Sequence, residues 1–479
     1  MSDLLRRWGG FVAGPLAAAL VLVLGPVMSD PAQRVAALAT WMAVWWLTAA
    51  VPLAATALLP LLLLPLAGVG KIDQVAATYA DPIIFLFLGG FFMAAASERW
   101  GLHRRLALAV ISAVGTEAPR VILAVMLATG FVSMWISNSA TAAMMLPITV
   151  ALMELARREA PERAATFGTA LVLGMAYSAS IGGVATLIGT PPTAIFAAAA
   201  ANLAGRPVGF AEWMAVGLPI AALMLAACWF LLVRVLFPLR GALGGVEQLV
   251  TRERASLGEW SAGPIVTVAV LALAATAWVF REPKRLGVLT IPGLADLIPA
   301  ISDAGIAVGA ALVLFIAPVS FTQRRFALDW EAAVRIPWDV LVLFGGGLAL
   351  AAAFDKSGLS AWLAGRLAGL HGAAPVLIVG AVTLFFVLLT ELTSNTATAA
   401  MAMPLVAALA PVLGADPVRL MAAAALGSSL GFMLPVGTPP NALVYGTGAV
   451  TVGQMAKAGV WLDLIGVLVI TAVISVWGR

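Results

Sequence analysis

Two polar clusters with nearly the same residues interrupt long apolar stretches of the chain. Residues 137–141 read Ser-Asn-Ser-Ala-Thr and residues 394–398 read Ser-Asn-Thr-Ala-Thr, and the asparagines Asn138 and Asn395 stand 257 positions apart. An interrupted helix offers carbonyl, hydroxyl and amide oxygens, which are the ligands that a sodium ion prefers. In apolar surroundings the freed backbone groups need partners, and a bound ion supplies them. The two clusters therefore predict cation binding.

A second pair of motifs follows the clusters in the same order. Gly-Thr-Pro-Pro occurs at residues 189–192 and again at 437–440, which is 248 positions later. Proline is tolerated in the first turn of a helix, where free N–H groups and the helix dipole attract carboxylate or sulfate. None of the four motifs contains Lys, Arg or His. Bound cations would have to neutralise most of an anion's charge, so the motifs favour ion-coupled binding of small, highly charged anions.

A single copy of either motif would carry little weight. A lone Ser-Asn in an apolar helix is more often a helix contact or a kink, and Gly-Thr-Pro-Pro alone is usually a loop or a helix start. Duplication in the same order and at nearly constant spacing reverses that preference. We therefore interpret the four motifs as one functional set.

The composition places these motifs in an integral membrane protein. Of the 479 residues, 62% are hydrophobic and 10% are charged, and the mean hydropathy is +1.04. Soluble domains carry about 25% charged residues, so soluble enzymes, nucleic-acid-binding proteins and disordered scaffolds are excluded. The single cysteine, Cys228, lies in an apolar run, which excludes a disulfide framework and a thiolate metal cluster.

The apolar runs predict an all-α polytopic membrane protein with about eleven transmembrane helices and two re-entrant hairpins, because a span needs about 20 apolar residues. The polar clusters interrupt the hairpins, and Gly-Thr-Pro-Pro breaks two further helices. The predicted domains are an N-terminal helix over 1–34; a first repeat over 35–240 with scaffold helices 35–110, a hairpin 120–156 and a broken helix 165–200; a cytoplasmic linker over 241–262; and a second repeat over 263–479 with scaffold helices 263–370, a hairpin 375–413 and a broken helix 417–445.

The two repeats are expected to be inverted. Five predicted spans and one hairpin separate equivalent points of the halves, and this odd number of crossings turns the second copy over. Inverted repeats place a substrate site at their interface near the bilayer midplane. With a cytoplasmic N-terminus, most of the 27 Lys and Arg residues fall on the cytoplasmic side, as the positive-inside rule requires. We expect this orientation in a bacterial inner membrane.

At the four motifs the sequence resembles the divalent anion/sodium symporter family, whose members carry succinate, malate, fumarate, citrate and, in some branches, sulfate. The resemblance covers most of the chain from about residue 35. It implies a homodimer of scaffold and transport domains, in which the transport domain moves as an elevator and carries its site across the membrane. It also implies co-transported sodium ions and no organic cofactor, with a small dianion and membrane lipid as partners and no nucleic acid.

The resemblance also assigns roles to individual residues. The implied sodium ligands are Ser133, Ser137, Asn138, Gly189, Thr390, Thr393, Asn395 and Gly437, some through backbone carbonyls. The implied substrate-binding residues are Asn138, Ser139, Thr190, Pro191, Asn395, Thr396, Thr438 and Pro439. The halves differ at Thr193, where the second copy has Asn441. We expect this difference to weaken a polar contact behind the first break.

Glu391, beside the second cluster, has two open interpretations. A carboxylate within a membrane segment is a functional candidate, but the corresponding residue of the first half is Met134. Structural support and proton handling stand as equal alternatives.

The predicted function is sodium-coupled import of a C4-dicarboxylate, without covalent chemistry. The chain lacks the long soluble insert that accompanies some sulfate-carrying relatives, which favours dicarboxylate. Sodium-independent exchange of dicarboxylate or citrate by the same fold is the alternative, and the ion dependence of net uptake would distinguish the two. An intramembrane enzyme would need a nucleophile and a base at membrane depth, and neither histidine is placed for that role. A channel is disfavoured because closed hairpins suit alternating access better than a continuous pore.

Overall fold

A computed structural model describes residues 2–25, 28–286, 289–367 and 374–477. The predicted domain ranges extend beyond the described residues at 1, 26–27, 287–288, 368–373 and 478–479. The described chain is mostly helical, with short two-stranded antiparallel sheets in two of its connections. This architecture confirms the all-α class.

The elements follow one another in two comparable series. The first consists of α1 (Ser2–Leu24), α2 (Asp30–Thr48), α3 (Leu53–Thr56), α4 (Leu59–Leu66), α5 (Ile72–Ala77), a 3-10 turn (Thr78–Ala80), α6 (Pro82–Arg99), α7 (Leu102–Val114), α8 (Ala118–Ser133), α9 (Asn138–Glu159), α10 (Pro161–Gly183), α11 (Pro191–Ala204), α12 (Phe210–Phe230) and a π-helical segment (Leu231–Leu236). The second consists of α13 (Val246–Ser256), α14 (Ala262–Val279), β1 (Lys284–Leu286), β2 (Leu289–Ile291), α15 (Leu294–Leu297), α16 (Asp303–Ile316), β3 (Pro318–Ser320), β4 (Arg325–Phe326), α17 (Trp330–Ala333), α18 (Trp338–Lys356), α19 (Leu359–Leu367), α20 (Pro375–Thr390), α21 (Asn395–Leu409), α22 (Pro417–Ser429), α23 (Pro439–Tyr445) and α24 (Val452–Val476).

Among the described residues, eight helical segments are long and apolar enough to cross a membrane. They are Arg7–Leu24, Ile72–Arg99, Asn138–Glu159, Pro161–Gly183, Phe210–Leu236, Ala262–Val279, Trp338–Lys356 and Val452–Val476. The run 53–68, which the sequence indicates as one span, instead forms α3 and α4. Pro52 precedes α3 and Pro60 lies in the first turn of α4, and a proline ring prevents one helix from continuing into the next.

The four motifs all lie where one helix ends and another begins. Asn138 is the first residue of α9 and Asn395 is the first residue of α21. Pro191 begins α11 and Pro439 begins α23, each after a non-helical segment. A proline at the first helical position loses no hydrogen bond, because that N–H has no partner within the helix. Each half therefore contains a helix–turn–helix followed by a helix–break–helix.

Two small-residue helices, α10 and α22, form the centre of this arrangement. α10 packs against α8 and α9, and α22 packs in the same way against α20 and α21. Ala, Gly and Ser make up much of both helices, and both are buried over most of their length. Gly182 in α10 lies directly against the backbone of Gly130 in α8, where a Cβ atom would overlap. Small residues permit this close approach and hold each break against its hairpin turn.

The two halves interlock around the breaks. α11 of the first half packs against α21 and α22, while α23 of the second half packs against α9 and α10. The hydroxyl of Tyr177 in α10 donates toward the carbonyl oxygens of Phe432 at 3.0 Å and Met455 at 3.2 Å. Both breaks therefore lie between helices of both halves.

Replacing Tyr177 by Phe should destabilise the protein, because two buried carbonyl groups lose their common donor. We expect the free energy of unfolding to fall by about 1–2 kcal/mol, measured as a lower midpoint of thermal unfolding in detergent. Tyr445→Phe is the matched control, since Tyr445 is 44% exposed. Equal midpoints for the two variants would contradict this role of Tyr177.

Candidate functional site

The first polar cluster brings three oxygen atoms together around one hydroxyl proton. Ser133 ends α8, and its Oγ lies 2.6 Å from the carbonyl oxygen of Ala179 in α10 and 3.0 Å from Asn138 Oδ1. Ser133 is fully buried. One proton cannot satisfy two acceptors at full strength, and Asn138 is half-buried, so lone pairs of its amide oxygen remain available. Such an excess of oxygen over protons suits a cation.

The second cluster repeats this geometry with a different hydroxyl residue. Thr390 Oγ1 lies 2.7 Å from Asn395 Oδ1 and 2.9 Å from the carbonyl oxygen of Ser428 in α22. Thr390 is also fully buried. The hydroxyl that the sequence retains at both positions, 257 residues apart, thus makes the same pair of contacts in each half.

Two glycines allow the first break to come close to the cluster. A Cβ atom at Gly189 would lie 2.5 Å from the carbonyl oxygen of Gly183 and 2.7 Å from that of Ser133. A Cβ atom at Gly183 would overlap Asn138 Oδ1. Carbonyl oxygens therefore lie against Gly189 and an amide oxygen lies against Gly183, so only glycine fits at these two positions.

The first break is held by a hydroxyl group. Thr186 Oγ1 donates to the carbonyl oxygen of Met134, in the hairpin turn, and accepts from the N–H of Gly189 at 3.2 Å. Thr193 closes the same break with its own hydroxyl, which lies 2.7 Å from the carbonyl oxygen of Thr190, 3.0 Å from that of Leu187 and 3.3 Å from that of Thr186. A polar contact behind the first break is therefore present with threonine at this position.

The second break is held by a carboxylate. Glu391, at the position that corresponds to Met134, accepts from the N–H groups of Met433 at 2.8 Å and Leu434 at 3.0 Å. Its side chain is buried. Asn441 adds a second connection, donating from Nδ2 to the carbonyl oxygens of Gly431 at 3.0 Å and Leu434 at 3.1 Å. Of the two interpretations of Glu391, these contacts favour structural support.

Two predicted sodium ligands have side chains engaged within their own hairpins. Ser137 Oγ accepts from the N–H of Ala140 at 3.4 Å and caps α9. Thr393 Oγ1 lies 2.6 Å from Thr398 Oγ1 and donates to the carbonyl oxygen of Leu389 at 2.8 Å. The structure does not bring these two hydroxyl groups into the oxygen clusters.

The predicted substrate-binding residues fall into an accessible group and a buried group. Ser139 is exposed and Thr396 is half-buried, each one residue beyond its asparagine. Thr190 and Thr438 are buried at the ends of the breaks, directly before Pro191 and Pro439. Thr438 Oγ1 accepts from the N–H of Asn441 at 3.3 Å, so this hydroxyl helps to start α23.

A cavity of about 450 Å³ reaches the first hairpin turn at Ser137 and Ala140. Arg99, Asp329 and Arg335 also line it, and Arg99 Nη1 lies 2.5 Å from Asp329 Oδ2. The four motifs contain no basic residue, but the fold places guanidinium groups beside one of them. Residues distant in sequence supply this charge, which explains why motif analysis did not find it.

Sequence analysis also missed Gly183, Thr186 and Asp463. Gly183 belongs to a Gly-Gly pair directly before the first break. Such a pair could have indicated that two backbone segments approach closely there. Asp463 is an acidic residue in the apolar span Val452–Val476, and such a residue is a functional candidate by default. Thr186 has no comparable sequence signal, because only the folded turn shows its two partners.

Comparisons with known proteins give one family and several relatives. The model described as "Sodium:sulfate symporter transmembrane region" matches residues 10–479. The sodium-dependent dicarboxylate transporter SdcS of Staphylococcus saprophyticus is 40% identical over 97% of this chain and 90% of its own length. The protein of the same name from Staphylococcus aureus is also 40% identical, with the same coverage of both chains.

Two solved structures share the fold at low sequence identity. The YdaH transporter of Alcanivorax borkumensis has a TM-score of 0.54 at 17% identity, covering 84% of this chain and 87% of its own. MtrF of Neisseria gonorrhoeae has a TM-score of 0.55 at 14% identity, covering 96% of this chain and 97% of its own. At these identities the likeness concerns the fold alone.

A methyl group at Gly189 should disrupt the first oxygen cluster. Sodium chloride should raise the unfolding midpoint of the unmodified protein relative to potassium chloride. We expect this rise to be about half as large in Gly189→Ala, because one of two cation sites is lost. Gly309→Ala in α16 is the matched control, since a Cβ atom there meets nothing within 4 Å. A full sodium-dependent rise in Gly189→Ala would contradict the assignment of a cation to this cluster.

Proposed function

The chain belongs to the sodium:sulfate symporter family, and from this membership we propose that it is a secondary active transporter that imports a C4-dicarboxylate such as succinate, malate or fumarate together with sodium. The pair of oxygen clusters carries the proposal, because in each of them one buried hydroxyl proton faces two acceptors. The names of relatives at 40% identity, which specify sodium and dicarboxylate, support the choice of cation and anion. The chain performs no covalent chemistry and is not an enzyme.

The order of binding follows from electrostatics. A dianion cannot enter a site of neutral donors at membrane depth without losing hydration that those donors only partly replace. Sodium ions bound first at the clusters cancel most of this charge and fix the hairpin turns. Helix ends at Pro191 and Pro439 then add N–H groups that favour a carboxylate. Cations therefore precede substrate, and no organic cofactor takes part.

Each half contributes equivalent residues to this scheme. We assign the first sodium to Ser133, Ser137, Asn138 and Gly189, with Ser137 acting through its backbone carbonyl because its hydroxyl caps α9. The second sodium is assigned to Thr390, Thr393, Asn395 and Gly437 on the same reasoning, since the Thr393 hydroxyl is bonded within its hairpin. The carboxylates of the substrate are assigned to Asn138, Ser139, Thr190, Pro191, Asn395, Thr396, Thr438 and Pro439.

The transport cycle is proposed to be an elevator movement of the hairpins and broken helices within a homodimer, in the bacterial plasma membrane. The cavity beside the first hairpin turn supports a site that opens toward one side of the membrane at a time. With the proposed cytoplasmic N-terminus, the basic residues Arg99 and Arg335 of this cavity fall on the cytoplasmic side, so we assign the cavity to the inward-facing side of the membrane.

Uptake into proteoliposomes tests this function. Purified protein should accumulate labelled succinate when sodium, but not potassium, is present outside, and it should do so in vesicles without internal succinate. Uptake that requires internal succinate and ignores sodium would identify an exchanger and contradict symport.

Removing either asparagine should abolish sodium-driven uptake while leaving the protein folded. Asn138→Ala and Asn395→Ala each delete an amide oxygen from a cluster, and we expect uptake to fall by about tenfold or more. Asn202→Ala is the control, because Asn202 bonds to Asp81 in an exposed position. Full activity in both cluster variants, with unchanged elution on size exclusion, would refute the site assignment.

A further inference from the structure

We propose that an apolar cavity beside the first hairpin is a binding site for an anionic phospholipid, with one acyl chain inside the cavity and the phosphate held by Arg105. This inference goes beyond the proposed function, because it concerns a membrane component that is not transported. Three observations carry it: the shape and lining of the cavity, an arginine without a counter-ion, and a buried histidine nitrogen without a hydrogen bond.

The cavity has a volume of about 460 Å³ and lies between four helices. Met93 of α6 and Leu106 of α7 line it, as do Phe131 of α8 and Val268 of α14. Its volume is that of an ordinary small-molecule site. Phe131 and Val268 are also exposed, so the cavity communicates with the outer surface of the helices, where lipid chains lie.

The lining of the cavity suits hydrocarbon. Apart from Ser97, His103 and Arg105, every described residue that lines it is aliphatic, aromatic or methionine, and none is acidic. A small dianion would lose its hydration there without gaining enough partners. An empty apolar void gives up the dispersion contacts of its walls, and an acyl chain restores them. The occupant that fits is therefore largely apolar.

Arg105 supplies a positive charge at this cavity. Its guanidinium donates to the carbonyl oxygens of residues 257–259 at 2.6–3.2 Å and lies 5.0 Å from the centre of the Trp260 ring. Among the described residues Arg105 forms no ion pair, whereas its neighbour Arg104 pairs with Glu253. The carbonyls and the ring orient the guanidinium but leave it without an anion, and a phosphate is the anion that arginine binds well.

His103 adds a buried polar group that lacks a partner. It lies two residues before Arg105 in α7, is 7% exposed and lines the same cavity, and its Nδ1 has no hydrogen-bond partner. The Nε of Arg105 is likewise buried and without a partner. Buried polar groups nearly always have a partner in the protein, in water or in a ligand. The phosphate and ester oxygens of a phospholipid provide acceptors for both groups.

The position of the cavity indicates what the lipid would do. Trp135 and Ile136 line it from the first hairpin turn, directly before Ser137. With the proposed cytoplasmic N-terminus, α7 follows the cytoplasmic end of α6, and anionic lipids of the cytoplasmic leaflet are attracted to basic residues there. A bound chain therefore supports the hairpin against α14 from outside the four motifs.

Native mass spectrometry of the delipidated full-length protein in detergent tests this site. Phosphatidylglycerol should bind at one tight site per chain, and phosphatidylcholine with the same acyl chains should bind about tenfold more weakly. Glycerol phosphate, which has the phosphate without acyl chains, should not bind detectably. These three probes separate a lipid site from a site for free phosphate.

Substitution of Arg105 tests the role of its charge. Arg105→Gln should weaken phosphatidylglycerol about tenfold, to the level of phosphatidylcholine, and Arg105→Lys should stay within about threefold of the unmodified protein because it retains the charge. Arg120→Gln is the matched control, since Arg120 is exposed and pairs with Glu117.

Filling the cavity provides a second test, which remains available if Arg105→Gln does not fold. Ala272 of α14 lines the cavity and is exposed, so the indole of Ala272→Trp should occupy the space of the acyl chain and abolish tight phosphatidylglycerol binding. Leu273→Trp is the matched control, because Leu273 is exposed and is not among the residues that line the cavity. Phosphatidylglycerol should raise the unfolding midpoint of this control but not that of Ala272→Trp.

Two results would overturn the proposal. Equal binding of both phospholipids in the unmodified protein, Arg105→Gln and Ala272→Trp would mean contact with bulk lipid only. A protein that binds no lipid tightly, and whose dimer dissociates in Ala272→Trp, would mean that a second copy of the chain covers the cavity. None of these measurements involves succinate or sodium, so their outcome is independent of the outcome for the proposed transport function.

Discussion

The structure depends on the oxygen atoms that gather around one buried hydroxyl group at each of its two hairpin turns. At each turn the fully buried hydroxyl of Ser133 or Thr390 faces an amide oxygen and a helix carbonyl. Such a group of oxygens is costly in an apolar interior unless a positive charge completes it. These oxygens are brought together by three features. They are the small residues of α10 and α22, the glycines at 183 and 189, and the prolines at which the helices begin again.

Similarity between the halves extends to the oxygen clusters but not to what supports them. Ser133 and Thr390 make equivalent contacts, whereas the breaks behind them are held by Thr186 in one half and by Glu391 in the other. A hydroxyl and a carboxyl group hold the chain in similar places. A duplicated fold can in this way keep the same backbone plan while its two halves use different side chains to support it.

The sequence alone predicted the elements that form the site more fully than the contacts within it. The duplicated motifs predicted interrupted hairpins at the two polar clusters and helix starts at Pro191 and Pro439, because polar interruptions and proline act locally along the chain. Proline also divided the run at 53–68, where hydropathy by itself indicated one span. Thr186 and the guanidinium of Arg99 contact residues that are distant in sequence, so these contacts emerged only from the packed structure. The local bonds of Ser137 and Thr393 likewise depend on how each hairpin turn closes.

The most direct test of the account is equilibrium binding of labelled succinate to the purified protein at increasing sodium concentration, with potassium keeping the ionic strength constant. Binding requires no transport, so it isolates the claim that sodium completes the oxygen clusters before the dianion binds. The account predicts negligible binding in potassium alone and a steeper than hyperbolic rise with sodium, because two ions bind first. Succinate binding of equal affinity in potassium and in sodium would contradict it.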